Sequence, residues 1–327
     1  MKTLCIYHSR DLDGWASAAI VKLAMRNNVS AIVDLDKDTV AIAPPEEDQD
    51  QGTLYFKGYD YGQPIPDTSE YDRVIMCDVS FPKEDMLRIN KDLGGTYFIW
   101  IDHHQRQIDM INPYLEEHGL PMDGLVTEPG ELRAACELTW EYFFPDDAMP
   151  ELIRLLGRYD CFGHRGTEEE QTVLQFQYGA RGAMVNYEDV YSILIMPAEL
   201  QDTFIWETLE QGKGIYRYLC AEAKATYAKA FPLKFINPAL TTEDVFIPKF
   251  LAVNQERFNP INLGIDYHAD GYDGFACFWY NDGKWIFSLY NDNGKIDCAE
   301  ICVMFGGGGH KGAAGFVTTD INQFLNI

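Results

Sequence analysis

Positive charge is scarce in this chain: 26 lysines and arginines stand against 51 aspartates and glutamates, a formal net charge of −25 over 327 residues. Such a surface repels phosphate backbones, which excludes a binder of long duplex nucleic acid. It also excludes a processive enzyme that draws long single strands through a basic channel. No apolar run approaches the roughly 20 residues that span a bilayer, so no membrane partner is expected. The opening Met1-Lys2-Thr3-Leu4-Cys5-Ile6-Tyr7 runs straight into polar His8-Ser9-Arg10-Asp11, so no secretory leader is expected. None of the eight cysteines forms a Cys-x-x-Cys pair, and several sit inside apolar runs such as Ile75-Met76-Cys77. They read as reduced core thiols of a cytoplasmic protein. No internal repeat is present. Histidine is sparse too, with seven in the chain, and two of them are neighbours at His103-His104.

What is present suffices for a folded core, since 46% of residues are hydrophobic. The first half alternates strand and helix signals. Apolar runs at Thr3–Tyr7, Val29–Val33, Thr53–Lys57, Arg73–Cys77 and Tyr97–Ile101 read as strands. Gly14–Arg26 and Lys83–Lys91 have helical spacing. That alternation predicts an α/β class with a parallel, doubly wound sheet. Glu131–Phe144, Glu151–Arg158 and most of Tyr187–Lys229 read as helices, whereas Pro44–Asp50 reads as an acidic surface loop. After Pro232 the pattern changes to strands at Val245–Val253, Tyr272–Tyr280 and Lys284–Tyr290, with Asn281-Asp282-Gly283 as a hairpin turn. A helix over Ile296–Phe305 follows. The expected division is an α/β domain over 1–185, a helical connector over 186–240 and a smaller mixed α/β domain over 241–327.

Three strand ends in the first half carry residues that ligate metals: His8-Ser9-Arg10-Asp11-Leu12-Asp13-Gly14, Asp78 after Cys77, and Asp102-His103-His104 after Ile101. In a parallel sheet the carboxyl ends of neighbouring strands share one edge, so these groups can converge, and Asp160 can join them from a helix end. A mixed imidazole and carboxylate set suits Mn²⁺, with Mg²⁺, Co²⁺ or Fe²⁺ as further choices. Two divalent cations would relieve the repulsion among the carboxylates. Asp11 and Asp13 have a second reading as caps of the helix that begins near Gly14. The histidine pair has one as local hydrogen-bonding groups. Near the other end, Gly306-Gly307-Gly308-Gly309-His310-Lys311 offers unhindered backbone N–H groups, an imidazole and a cation to a phosphate, or is a flexible turn.

Taken in order along the chain, these motifs resemble the DHH superfamily of phosphoesterases with a C-terminal DHHA1-type domain. The matching residues are His8, Asp11, Asp13 and Gly14, Asp78, Asp102-His103-His104, Asp160, and Gly306–Lys311 followed by Gly312-Ala313-Ala314-Gly315-Phe316. The resemblance implies a metal-dependent hydrolase with two Mn²⁺-like ions. His8, Asp11 and Asp78 would hold one, and Asp13, Asp78, His103 and Asp160 the other, with Asp78 shared. It implies that Asp102 orients the histidines, and that His104 contacts the substrate phosphate. Gly307, Gly308, Gly309, His310 and Lys311 would bind phosphate from the smaller domain. The implied reaction is attack of water on a phosphodiester of a short oligonucleotide or a linear or cyclic dinucleotide. Hydrolysis of polyphosphate or pyrophosphate is the alternative, and a non-catalytic nucleotide-binding regulator a third. One departure is that Phe287-Ser288-Leu289-Tyr290-Asn291-Asp292-Asn293 lacks the arginine that oligonucleotide-degrading members often place before the glycine motif. The expected partner is a short nucleotide or other phosphorylated small molecule; self-association into a homodimer is a further expectation.

Overall fold

The computed structural model describes residues 1–37, 39–42, 52–94, 97–120, 122–235, 248–256 and 258–322. The acidic stretch Pro44–Asp50 and the start of the strand expected at Val245 lie outside these residues. Two compact units emerge, Met1–Lys213 and Gly214–Ile327.

The first unit contains β1 (Lys2–His8), α1 (Leu12–Met25), β2 (Val29–Asp34), β3 (Thr39–Ile42), β4 (Gly52–Tyr59) and β5 (Arg73–Cys77). It continues through α2 (Lys83–Asp92), β6 (Phe98–Ile101), α3 (Gln105–Glu117), α4 (Ala135–Phe143), α5 (Glu151–Asp160), α6 (Glu170–Ala183) and α7 (Tyr187–Leu194). The boundary between the units falls inside the long α8 (Ala198–Tyr227). The sheet order is β3-β2-β4-β1-β5-β6, with β2, β4, β1, β5 and β6 parallel and β3 antiparallel at the edge. This is the α/β class with a doubly wound sheet that the alternation predicted.

Side chains alternate across the pleat, and both faces are covered, so the central strands are apolar throughout. Leu4, Ile6, Val74, Met76, Phe98 and Trp100 point to one face, where Met86 and Ile89 of α2 and Ile108, Ile111 and Leu115 of α3 cover them. Cys5, Tyr7, Ile75, Cys77, Ile99 and Ile101 point to the other, under Ala18 and Val21 of α1, Leu138 of α4 and Tyr187 of α7. The connector assignment of α7 differs from its packing: Val190, Ile193 and Leu194 join the same buried cluster as Ala16, Ala19 and Ile20 of α1. The helix expected from Glu131 begins at Ala135. Its first amides, Ala135 N and Cys136 N, donate to Asp13 at 3.0 and 2.8 Å, which fixes the start by a tertiary contact invisible to local pattern.

The second unit contains β7 (Phe231–Lys234), β8 (Lys249–Asn254), β9 (Gly274–Asn281), β10 (Lys284–Tyr290), α9 (Cys298–Val303), β11 (Gly308–Gly309) and β12 (Ala313–Thr318). Its sheet order is β11-β12-β10-β9-β8-β7, antiparallel except for the parallel pair β8 and β9. The expected hairpin joins β9 to β10 through Asp282 and Gly283, both at positive φ (45° and 78°). Phe287, Phe316 and Phe235 lead its core.

One glycine sets where the site forms. A Cβ on Gly14 would lie 2.0 Å from the His8 carbonyl oxygen, so α1 can start against the end of β1 only because residue 14 has no side chain. Gly14→Ala should therefore destabilise the protein by about 1–3 kcal/mol or more, as other overpacked core positions do. Chemical denaturation would measure it; wild-type stability would mean that the α1–β1 junction is not so tight.

Candidate metal centre

The end of β1 turns into α1 through His8-Ser9-Arg10-Asp11. Asp11 is the N-cap of α1 through Oδ1, which accepts from Gly14 N at 3.0 Å. Its other oxygen, Oδ2, lies 2.9 Å from His8 Nδ1. The two readings of Asp11 are compatible, one per carboxylate oxygen. Asp13 lies further into the helix and is buried. It caps α4 rather than its own helix, as described above.

Asp78 follows β5 with φ 59°, a left-handed backbone that few side chains tolerate and aspartate and asparagine tolerate best. Ile101 O accepts its N–H at 2.9 Å and ties it to the end of β6. Asp78 Oδ2 lies 3.4 Å from His8 Nδ1, and Oδ1 lies 3.4 Å from His103 Nε2. His103 Nε2 also faces Asp160 Oδ2 at 3.2 Å and Asp13 Oδ2 at 3.7 Å. Asp102 is fully buried after β6. Its Oδ1 accepts from His103 N (2.7 Å) and His104 N (3.1 Å), and pairs with His104 Nδ1 at 2.7 Å. The structure thus brings His8, Asp11, Asp13, Asp78, Asp102, His103, His104 and Asp160 to one sheet edge. The sets His8/Asp11/Asp78 and Asp13/Asp78/His103 each offer one ligand atom per residue within 4.8 Å of the others.

The electrostatics are those of a cation site. Five carboxylates face three imidazoles in a largely buried cluster, so with all five ionised negative charge is in excess even with every ring protonated. Burial works against charge at His8, yet Asp11 and Asp78 raise it to about 11. Burial likewise opposes charge at His103, and Asp78, Asp160 and Asp13 still hold it well above the ordinary imidazole range. Burial disfavours an ionised Asp78, but the nearby His103 and His8 imidazoles hold it below the usual carboxylate range. Asp13 is pushed the other way, by burial and by Asp78 and Asp160. Burial, opposed by His103 and aided by Asp11 and Asp78, takes Asp160 up to about 6. Asp78 Oδ1 is buried and accepts no hydrogen bond of proper geometry. A buried carboxylate oxygen with a spare lone pair fits a divalent cation.

Two neighbours had no mark in the sequence reading. Asp60, directly after β4, is a fourth strand-end carboxylate. Its Oδ1 lies 3.6 Å from His8 Nε2, and its Oδ2 lies 3.1 Å from Arg10 Nε. Tyr61 follows it, with its ring centroid 6.0 Å from His8 and 6.4 Å from His104. The signal that could have found them is positional: the strand over Thr53–Lys57 ends shortly before Asp60, on the same edge.

The glycine motif belongs to the second unit. Gly307 and Gly309 are steric necessities there. A Cβ at Gly307 would meet Gly315 O at 2.1 Å, and one at Gly309 would meet Ala314 Cα at 2.6 Å. The amides of Gly306, Gly307 and His310 donate to Val303 O, Cys302 O and Ala313 O. The expected row of unengaged N–H groups is therefore interrupted by the fold's own hydrogen bonds. Gly308 pairs with Gly315 across β11 and β12, and Lys311 is exposed.

No family model matches the chain. An uncharacterised protein of Acanthamoeba polyphaga mimivirus is 24% identical over 334 aligned positions, covering 98% of this chain and 68% of that protein. A solved pGpG-specific phosphodiesterase from Vibrio aligns over 97% of this chain and 93% of its own, at 13% identity and a TM-score of 0.44. A solved DHH domain, from a protein assigned to a family of ribosomal proteins, aligns over 96% of this chain and 82% of its own, at 15% identity and a TM-score of 0.55. With that likeness, and with the sheet order described above, the chain has the fold of a DHH-domain protein.

Proposed function

We propose that this chain is a divalent-cation-dependent phosphoesterase that hydrolyses a phosphodiester in a short nucleotide, an oligoribonucleotide of a few units or a linear or cyclic dinucleotide. The observation that carries the reading is the meeting of His8, Asp11, Asp13, Asp78, His103 and Asp160 at one sheet edge around the shared Asp78. The DHH fold supports the same reading. His8, Asp11 and Asp78 would hold one cation, and Asp13, Asp78, His103 and Asp160 a second. The donor set suits Mn²⁺. When bound, the cations would cancel the cluster's negative charge and supply the acidity that makes water a nucleophile at neutral pH.

The chain's own residues do the rest. Asp102 holds His104 through Nδ1, which makes Nε2 the nitrogen that would donate to a phosphate oxygen as negative charge grows there. Asp60 Oδ1 lies 3.6 Å from His8 Nε2, the side where a carboxylate can help orient a metal-binding imidazole. Asp13 is held by two amides of α4 before anything binds. The second unit's His310 and Lys311 would offer an imidazole and a cation to an anionic group. The net charge of −25 favours a small substrate over a long polyanion.

Asp78→Asn tests the centre directly, because asparagine keeps the left-handed backbone and loses the charge. The expected result is a folded protein whose bound Mn²⁺, measured by metal analysis, falls below that of wild type. Its hydrolysis of an RNA dinucleotide should fall at least about 100-fold, the scale on which displaced metal-site groups act. Undiminished metal and turnover would sink the assignment. A panel with pyrophosphate and short polyphosphate runs alongside: orthophosphate release with RNA untouched would move the activity to the phosphoanhydride.

The raised imidazoles give a pH prediction. At pH 7, His8, with its pKa near 11, and His103 carry protons in the metal-free protein. A cation must displace those protons, so its affinity should rise with pH from acid through neutral and beyond. Calorimetry at pH 7 in buffers of differing ionisation enthalpy should report net proton release as the centre fills, from the two rings and from the raised Asp13 and Asp160 carboxyls. Heats independent of the buffer would contradict it.

A further inference from the structure

Tyr61 does not behave as a core residue. Its neighbours in the same layer, Tyr59 and Phe81, are 5% and 2% exposed and pack edge to face at 4.9 Å, whereas Tyr61 keeps 45% of its surface in water. Yet its ring is held on several sides. The Tyr59 ring meets it near-perpendicularly, at 6.2 Å and 74°. Its hydroxyl oxygen accepts from Ser80 N at 3.4 Å. His8 and His104 flank it at 6.0 and 6.4 Å, tilted by 58° and 73°. A large apolar ring that is fixed in place and still exposed is the arrangement aromatic residues have where they stack a nucleobase. The two histidines beside it belong to the centre where a phosphate would sit, and a sugar is what separates phosphate from base in a nucleotide.

We propose that Tyr61 is the platform on which a nucleobase of the substrate stacks, next to the scissile phosphate. This rests on the phosphodiesterase reading and narrows it. The substrate class becomes a phosphodiester bearing a base beside the reacting bond, not a bare polyphosphate or an abasic sugar phosphate. The ring's face provides the recognition, so preference among bases should be slight, because every base offers a π-face. The hydroxyl serves to anchor the ring on Ser80 and has no assigned part in the chemistry.

The test compares an RNA dinucleotide with the same dinucleotide lacking its bases, on the Mn²⁺-loaded full chain. Wild type should prefer the base-bearing substrate in kcat/KM. In Tyr61→Leu that preference ratio should fall about tenfold, within the range that base stacking commands, and the fall should lie in KM. Tyr61→Phe should keep the ratio. An equal loss for both substrates in Tyr61→Leu would make Tyr61 a structural support and overturn the proposal. So would a fall in kcat with Tyr61→Phe, which would assign the hydroxyl a chemical part.

A binding measurement separates this proposal from the reading beneath it. Calorimetric titration of a nucleoside monophosphate and of ribose 5-phosphate requires no turnover. Tighter binding of the nucleotide, lost in Tyr61→Leu, supports the platform even if no diester is cleaved; absence of any such preference in wild type overturns it even if diesters are cleaved.

Discussion

Burying a carboxylate in a low-dielectric interior costs several kcal/mol unless opposite charge and hydrogen bonds compensate it, and Asp78 is the carboxylate on which this arrangement turns. It stands in a left-handed backbone at the end of β5, its amide tied to Ile101 and its two oxygens facing His8 and His103. Those imidazoles come from β1 and from beyond β6, the two neighbours of β5 in the sheet. Strand order, strand ends and the charge state of the site are thus one constraint: moving any of the three strands by a residue would turn its terminal side chain to the other face.

Much of this was legible in the sequence because the apolar runs stop where the chemistry starts. Val74-Ile75-Met76-Cys77 runs into Asp78, and Phe98-Ile99-Trp100-Ile101 into Asp102, so strand assignment alone brought the ligand types to a common edge. The motif reading supplied which aspartates and histidines to group. The rest was hidden for physical reasons. Asp60 and Tyr61 lie beyond Gly58 and Tyr59, which extend β4 past the apolar stretch that marked it. The caps of α4 come from Asp13, more than a hundred residues away, and no local pattern carries such a bond. The glycine run read as a phosphate loop because its steric freedom is evident in sequence. That several of its amides are consumed by carbonyls of α9 and β12 is a property of the packed domain.

The two scales of charge in the molecule work together. Over the whole chain the excess is −25. Within the centre it is concentrated where burial makes it most costly, and protons on His8 and His103 are the metal-free compensation. Cations bound there would replace those protons rather than fill a neutral cavity, so the same groups would set affinity, pH response and local order.

Asp13 carries this coupling into the fold. Its carboxylate is both a candidate ligand and the acceptor for the first two amides of α4, a helix whose Cys136 and Leu138 share buried clusters with α1. Chemistry and architecture therefore share one side chain. A substitution there strips a donor from the centre and uncaps a helix in the same stroke. Position 13 is thus constrained twice: with the centre unused, the first amides of α4 would still call for a carboxylate there.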